Sequence, residues 1–594
     1  MGNEMRLDMV VLVFLGGTMP GLYAAPPAEQ DTVAAVAARY WDAVMQRYPT
    51  RATETGDHRF DNQLEDLSEP ARRRWQGTLE GLLEALRAVD EAGDSAEQHL
   101  NRTLLKRSLR DSLMSLACLG HYMPLDPLDG AHLKFPLILV SQPFHNRHDF
   151  ESYIERLRAF PVQVDQMIEN MRRGQSVGLV PPRVLVQRVM PQIRRHIVVD
   201  VTQSEFYAPV KRLDVLQGAD QQAMRDAIVS AIRASVVPGY RHLLTYVEDE
   251  ALPKSRTTIG ISGVPNGDKV YGALAYLNMT VPMPADDVHQ LGLSEVARIR
   301  SEMDKVKAAI GFDGSLDAFL EKMRTDPARR FASREEMLAA ADAILRRTRQ
   351  SVKKLFGRLP QSDIVMKEIE AFRAASSPMA YYGPIPEDGS RPGYFYINTY
   401  RPQDRLKFTL EALAYHESIP GHHLQIAMDV ENKKLPRFRR FYGNFTAYVE
   451  GWALYAEKLG YELGGYTDPY QQFGQLTLEM WRACRLVVDT GIHVQGWSRQ
   501  RAIDFMAGNT CLSKLDIEAE VDRYITWPGQ ALAYKIGELR ILALRKEAEQ
   551  ALGERFSLPD FHDALLADGP MPIDLLEERM RKWIRDFTSK TGKR

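Results

Sequence analysis

Apolar residues recur along most of this chain at a spacing near 3.6, the mark of helices that bury one face. Trp75–Ala92, Gln98–Leu119, Asp220–Val237 and Arg334–Phe356 follow that period in Leu, Ala, Arg and Glu, so each predicts a helix. Ser315 and Ser333 are placed to cap helices, Glu336 completes a capping box with Ser333, and Ser294 opens a helix after Gly292. Alternation with a period of two is scarce. Its best instances are Gly260–Val264 and Pro392–Thr399, the latter carrying Gly393-Tyr394-Phe395-Tyr396-Ile397-Asn398. Pro- and Gly-bearing breaks near 120–145, 252–285 and 376–394 are neither long nor polar enough to be interdomain linkers. No short solenoid repeat is present. The expected fold is mostly α: one large helical domain in two lobes, with a central cleft and a small β element.

Composition adds a folded globule with a large core: 594 residues, 44% hydrophobic and 26% charged. A net charge of −2 with no long basic tract gives no sign of a nucleic-acid partner. At the start, Arg6, the apolar run Met9–Leu15 and the small residues up to Ala24 and Ala25 read as a secretory signal. Residues 1–25 are then removed and 26–594 form the mature domain, exported to the periplasm with no stable membrane insertion. Glu4, Asp8 and Leu22 depart from that pattern, and an uncleaved anchor is the alternative, although the run is short for a span. Cys118, Cys484 and Cys511 are too few for a disulfide scaffold; at most one bridge is possible.

The chemistry concentrates in His416-Glu417-Ser418-Ile419-Pro420-Gly421-His422-His423 and, downstream, Glu450-Gly451-Trp452-Ala453-Leu454-Tyr455-Ala456-Glu457. Leu406, Leu410 and Leu413 define an apolar helix face that Glu417 continues, with His416 at its edge. A buried carboxylate needs a partner. In the familiar His-Glu-x-x-His helix the second ligand lies one turn on. Here Pro420 occupies that position, removing a backbone donor and clashing with the preceding turn. The helix must kink, and the kink can return His422 to the ion. His423 competes, but on an undistorted helix it lies about 10 Å of rise from His416. Glu450 and Glu457 share a face two turns apart, so one ion takes only one of them. Glu450 is assigned as third ligand and Glu457 as the acceptor that orients an imidazole. Nitrogen and carboxylate ligands make zinc the default metal.

These residues resemble a known family. His416–Gln425 and Glu450-Gly451-Trp452 look like the H-E-x-x-P-G-H-x-x-Q and E-G-W patterns of the bacterial DUF885 proteins. Pro49–Asp61, Tyr153–Leu157, Gly178–Pro182, Gly292–Met303 and Pro528-Gly529-Gln530-Ala531 with Tyr534 and Gly537 resemble other stretches of the same family. The pattern retains the first histidine of the pair, which favours His422. The family is similar to helical zinc peptidases of the thimet-oligopeptidase and Taq-carboxypeptidase type, an analogy that does not fix substrate.

Further residues extend the expected pocket. Arg482, Arg485, Asp489 and His493 share a helix face; a polar stripe lines either water or a pocket. In a pocket, His493 would donate to an oxyanion and Arg485 would grip a peptide carboxylate with two N–H groups. Pro528 suits a first helical turn, which sets Gln530 and Tyr534 one turn apart, with Tyr534 as a second oxyanion donor and Gln530 among the substrate contacts. As an edge strand, Gly393–Asn398 would hydrogen-bond an extended peptide, with Asn398 among the substrate contacts. The expected protein is a zinc peptidase in which His416, His422 and Glu450 hold the ion and Glu417 is the general base, acting on short peptides. The rivals are a hydrolase of another amide or ester, and a catalytically silent metal-dependent binding protein.

Overall fold

The computed structural model describes residues 32–370, 374, 378–387, 389, 391–441 and 445–590, and helices dominate it. Residues 1–25, expected to be a secretory signal, lie outside the described residues. The helices expected from periodicity are present with shifted ends, at Glu69–Ala88, Ala96–Ala117, Ala219–Ala231 and Arg334–Ser351. Ser315 and Ser333 cap as expected, accepting from the amides of Ala318 and Glu336. The Glu336 carboxylate reaches the Ala332 amide instead of that of Ser333, so the capping box is not closed. Ser294 does not start a helix. It lies inside α1 (Ala285–Ala309), which begins after Pro284.

Six more helices build the functional region: α2 (Leu410–Glu417), α3 (His422–Glu431), α4 (Thr446–Lys458), α5 (Pro469–His493), α6 (Lys514–Thr526) and α7 (Leu532–Leu552). α1 lies along α5, and a side chain at Gly292 would run into Leu486 and Val487. α4 crosses α7 glycine to glycine: a Cβ on Gly537 would sit 1.9 Å from the Ala447 carbonyl oxygen, and one on Gly451 would sit 2.5 Å from the Gly537 Cα. Near that crossing a buried ionic network joins four helices. Lys535 Nζ, fully buried, lies 2.8 Å from Glu479, 2.8 Å from Glu538 and 3.1 Å from Glu295. Lys458 and Arg298 complete the coordination of Glu479. A cation in that position is tolerated because carboxylates replace its lost water.

Buried apolar side chains form three main clusters. One mainly joins residues 33–109 to segments 410–424 and 532–584. A second is confined to residues 125–251, and the third mainly joins 296–323 to 473–531. The three cysteines are free thiols.

The single sheet among the described residues corrects two expectations. Gly260–Val264 is not a strand; it folds into the short helical turn Ile261–Gly263, where the Ile261 amide is taken by His493 Nδ1. Gly393–Ile397 is a strand (β3), but it is central. β1 (Ile364–Glu368) pairs parallel on one side and β2 (Ala380–Gly383) antiparallel on the other. Both edges of β3 are occupied, so it cannot accept an added peptide strand. Asn398 is fully buried just beyond it. Its Nδ2 donates to the carbonyls of Ala374 and Pro378, and its Oδ1 accepts from the Tyr400 amide. These bonds fix the loop and leave no substrate-binding role for Asn398.

Candidate metal centre

Between α2 and α3 the helix does more than kink: it stops at Glu417 and restarts at His422. Pro420 supplies no N–H at the break. Gly421 is required for space, since a Cβ there would lie 2.0 Å from the His416 carbonyl oxygen and 2.3 Å from that of Tyr415. The carbonyls freed at the break are claimed by Trp452, whose indole N–H donates to Pro420 at 3.0 Å and Gly421 at 3.3 Å. α2 is buried on all sides, and Leu406 precedes it. The one-faced amphipathic reading of this segment is therefore replaced by full burial.

The break turns His422 back onto His416, with ring centroids 4.8 Å apart and planes at 85°. Glu450, on α4, completes a triad. Its Oε2 lies 3.5 Å from His416 Nε2 and 3.4 Å from His422 Nε2, and the three ligand atoms all fall within 4.8 Å of one another. Zinc bonds of about 2.0–2.1 Å in a tetrahedron separate ligand atoms by roughly 3.4 Å, so the donor set fits such an ion. Glu450 Oε2 and His422 Nδ1 are both buried without a hydrogen-bond partner among the described residues.

Glu457 lies behind His416. Its Oε1 accepts from His416 Nδ1 at 2.9 Å, which fixes the tautomer and leaves Nε2 facing the centre. Arg482 Nη2 stands 3.4 Å from the same carboxylate oxygen. Burial opposes charge on His416, yet the nearby carboxylates of Glu450 and Glu457 outweigh it and lift its pKa to about 9. Burial likewise opposes charge on Glu450, but the imidazoles of His422 and His416 hold its carboxyl well below the usual range. Among the described residues, Arg482 is the guanidinium paired with Glu457, and a divalent cation would balance the remaining carboxylate charge. Glu417 is 8% exposed and has no hydrogen-bond partner among the described residues. Glu457→Gln is expected to weaken zinc binding by about 10- to 100-fold. Competition with a chelating dye measures this, and an unchanged affinity would remove Glu457 from ligand support.

His423 is not in the triad. Its Nδ1 pairs with the Tyr382 hydroxyl at 3.1 Å and its Nε2 with the Ser362 carbonyl at 3.1 Å, docking the sheet on α3. Burial pushes its pKa down to about 4.

The polar stripe of α5 faces neither water nor an open pocket: all four side chains are buried and pair with neighbouring segments. His493 accepts from the Ile261 amide at Nδ1 and donates from Nε2 to the Tyr524 carbonyl at 2.8 Å. Both ring nitrogens are taken, so His493 has no proton for an oxyanion. Asp489 accepts from the Tyr271 hydroxyl and the Gly529 amide, anchoring the loop that carries Gln530. Arg485 is 2% exposed, with Nε on the Tyr524 hydroxyl, Nη2 on Glu520 and its guanidinium 4.3 Å from the Tyr534 ring centre. Its Nη1 has no hydrogen-bond partner among the described residues but is fully buried, so no fork is presented to a substrate carboxylate.

Pro528 precedes the helix, which starts only at Leu532, but Gln530 and Tyr534 still meet at 3.5 Å. Between them stands Arg523, which the linear pattern did not single out. Its Nη2 donates to the Tyr534 oxygen at 2.8 Å and to Gln530 Oε1 at 2.9 Å. Nothing in the spacing along α6 marks this residue, because its partners lie on the following loop and helix.

No curated protein matches the chain. Among solved structures, the "putative lipoprotein" of Colwellia psychrerythraea is similar over 93% of this chain and 100% of its own, with 27% identity and a TM-score of 0.86. A Shewanella oneidensis counterpart of unknown function shares the fold, with 19% identity and a TM-score of 0.72, over 93% of this chain and 100% of its own. The pattern of the bacterial proteins of unknown function DUF885 matches residues 49–580, and the chain belongs to that family.

Proposed function

We propose that this protein is an exported, zinc-dependent hydrolase of peptide bonds in short peptides. The observation that carries the reading is the His416–His422–Glu450 triad with zinc-like spacing, with the Glu417 carboxylate next to His416 in the chain. His416, His422 and Glu450 would hold the ion. Zinc bound there supplies a Lewis acid that polarises a scissile carbonyl and acidifies water. Glu417 takes the proton from the attacking water and delivers it to the leaving nitrogen. Tyr534 donates its phenolic hydrogen to the oxyanion, and His416 is held in register by Glu457.

Support for peptides comes from the resemblance to helical zinc peptidases. Export, with the periplasm as destination, draws on the N-terminal signal pattern and on the names of both structural neighbours. No helix among the described residues is long and apolar enough to cross a membrane. Metal analysis combined with mass-spectrometric cleavage profiling of a peptide library tests the reading. One zinc per chain and chelator-sensitive cleavage are expected. A protein without stoichiometric metal, or cleavage indifferent to chelator, overturns it.

A further inference from the structure

We propose that Arg523 is a positioning residue that aims the phenolic hydrogen of Tyr534 into the reaction site. This assignment rests on the hydrolase reading above.

A phenol oxygen carries one hydrogen and can accept two hydrogen bonds. At Tyr534 both described partners are donors: Arg523 Nη2 at 2.8 Å and Gln530 Nε2 at 3.5 Å. The Gln530 amide is oriented by the same guanidinium, because its Oε1 accepts from Arg523 Nη2 at 2.9 Å. The hydrogen of Tyr534 therefore cannot point at either neighbour, and no acceptor for it lies among the described residues. It is left as a donor without an assigned partner, on a side chain that is 7% exposed.

The surroundings favour negative charge at that hydrogen. Arg523 approaches the hydroxyl, and Arg485 lies 4.3 Å from the ring centre. Glu520 is the carboxylate paired with both guanidiniums, at 3.0 Å from Arg485 and 3.5 Å from Arg523. The cluster thus carries an excess of positive charge, and an oxyanion would balance it. Two helices tie it to the triad. Arg485 is one turn along α5 from Arg482, which holds Glu457. Tyr534 is one turn along α7 from Gly537, which touches Gly451 beside Glu450.

The test uses the zinc-loaded full chain and the best-cleaved peptide from the library. Arg523→Ala is expected to lower kcat about 100-fold or more while KM stays within about threefold, with zinc content unchanged. Tyr534→Phe should lose a similar amount. The double variant should be no worse than either single one, because the two residues act as a unit. Millimolar guanidinium should restore part of the Arg523→Ala rate and none of the Tyr534→Phe rate. If Arg523→Ala does not fold, Arg523→Lys, which keeps the charge but not the fork, should show the same fall in kcat.

Wild-type kcat in the Arg523 variants overturns the assignment. So does a rise in KM at unchanged kcat, which would make Arg523 a substrate contact, or multiplicative losses in the double variant. Wild-type protein without Glu417-dependent cleavage would fail the hydrolase reading itself and take this assignment with it.

Discussion

Glu417→Gln is expected to abolish peptide hydrolysis while one zinc per chain remains bound. The substitution keeps the shape of the side chain and removes its ability to take a proton. General-base catalysis of this kind contributes about 10²- to 10⁴-fold, so kcat should fall at least that far. The ion should stay, because none of the ligand atoms of His416, His422 and Glu450 belongs to residue 417. Stability should not suffer either. The amide keeps the volume of the carboxylate, so no cavity opens at this position, which is 8% exposed. Steady-state kinetics alongside metal analysis separates the two effects. Unchanged kcat would remove Glu417 from the mechanism, and loss of zinc would make it a structural support of the site.

Gly421→Ala is expected to damage stability and metal binding together. The obstacle is space. The added methyl would lie 2.0 Å and 2.3 Å from two carbonyl oxygens of α2, and backbone atoms cannot swing aside as a flexible side chain would. Relief requires α3 to move away from α2, which separates His422 from His416 and pulls Pro420 from Trp452. Overpacking of this kind costs about 3 kcal/mol. A lowered urea midpoint and a zinc affinity reduced about tenfold or more are the expected readings. A variant with the wild-type midpoint and affinity would show that the break tolerates a side chain.

The helical class was legible because period and capping are local: Ser315 and Ser333 cap where their side chains reach the next turn. The triad was legible because His416, His422 and Pro420 share one short segment and proline forces the break. Partners set by packing between distant segments could not be read. His493 sits on the expected α5 stripe, but its two nitrogens are claimed by Ile261 and Tyr524. Gly393–Ile397 has the composition of a strand, yet its central place depends on Ile364–Glu368 and Ala380–Gly383 arriving on either side. Arg523 acquires its partners only when α6 meets α7 and the loop before it. Trp452 stood out in the sequence only as part of the E-G-W motif, and its indole N–H serves as the clasp on the broken helix.

The glycine-to-glycine crossing of α4 and α7 has a consequence for motion. With Gly537 pressed on the Ala447 carbonyl and Gly451 on Gly537, neither helix can slide past the other without a backbone collision. The Glu450 carboxylate and the Tyr534 phenol therefore ride on one rigid chassis. Any breathing must come from the parts around it, while the spacing between these two side chains' backbones stays clamped.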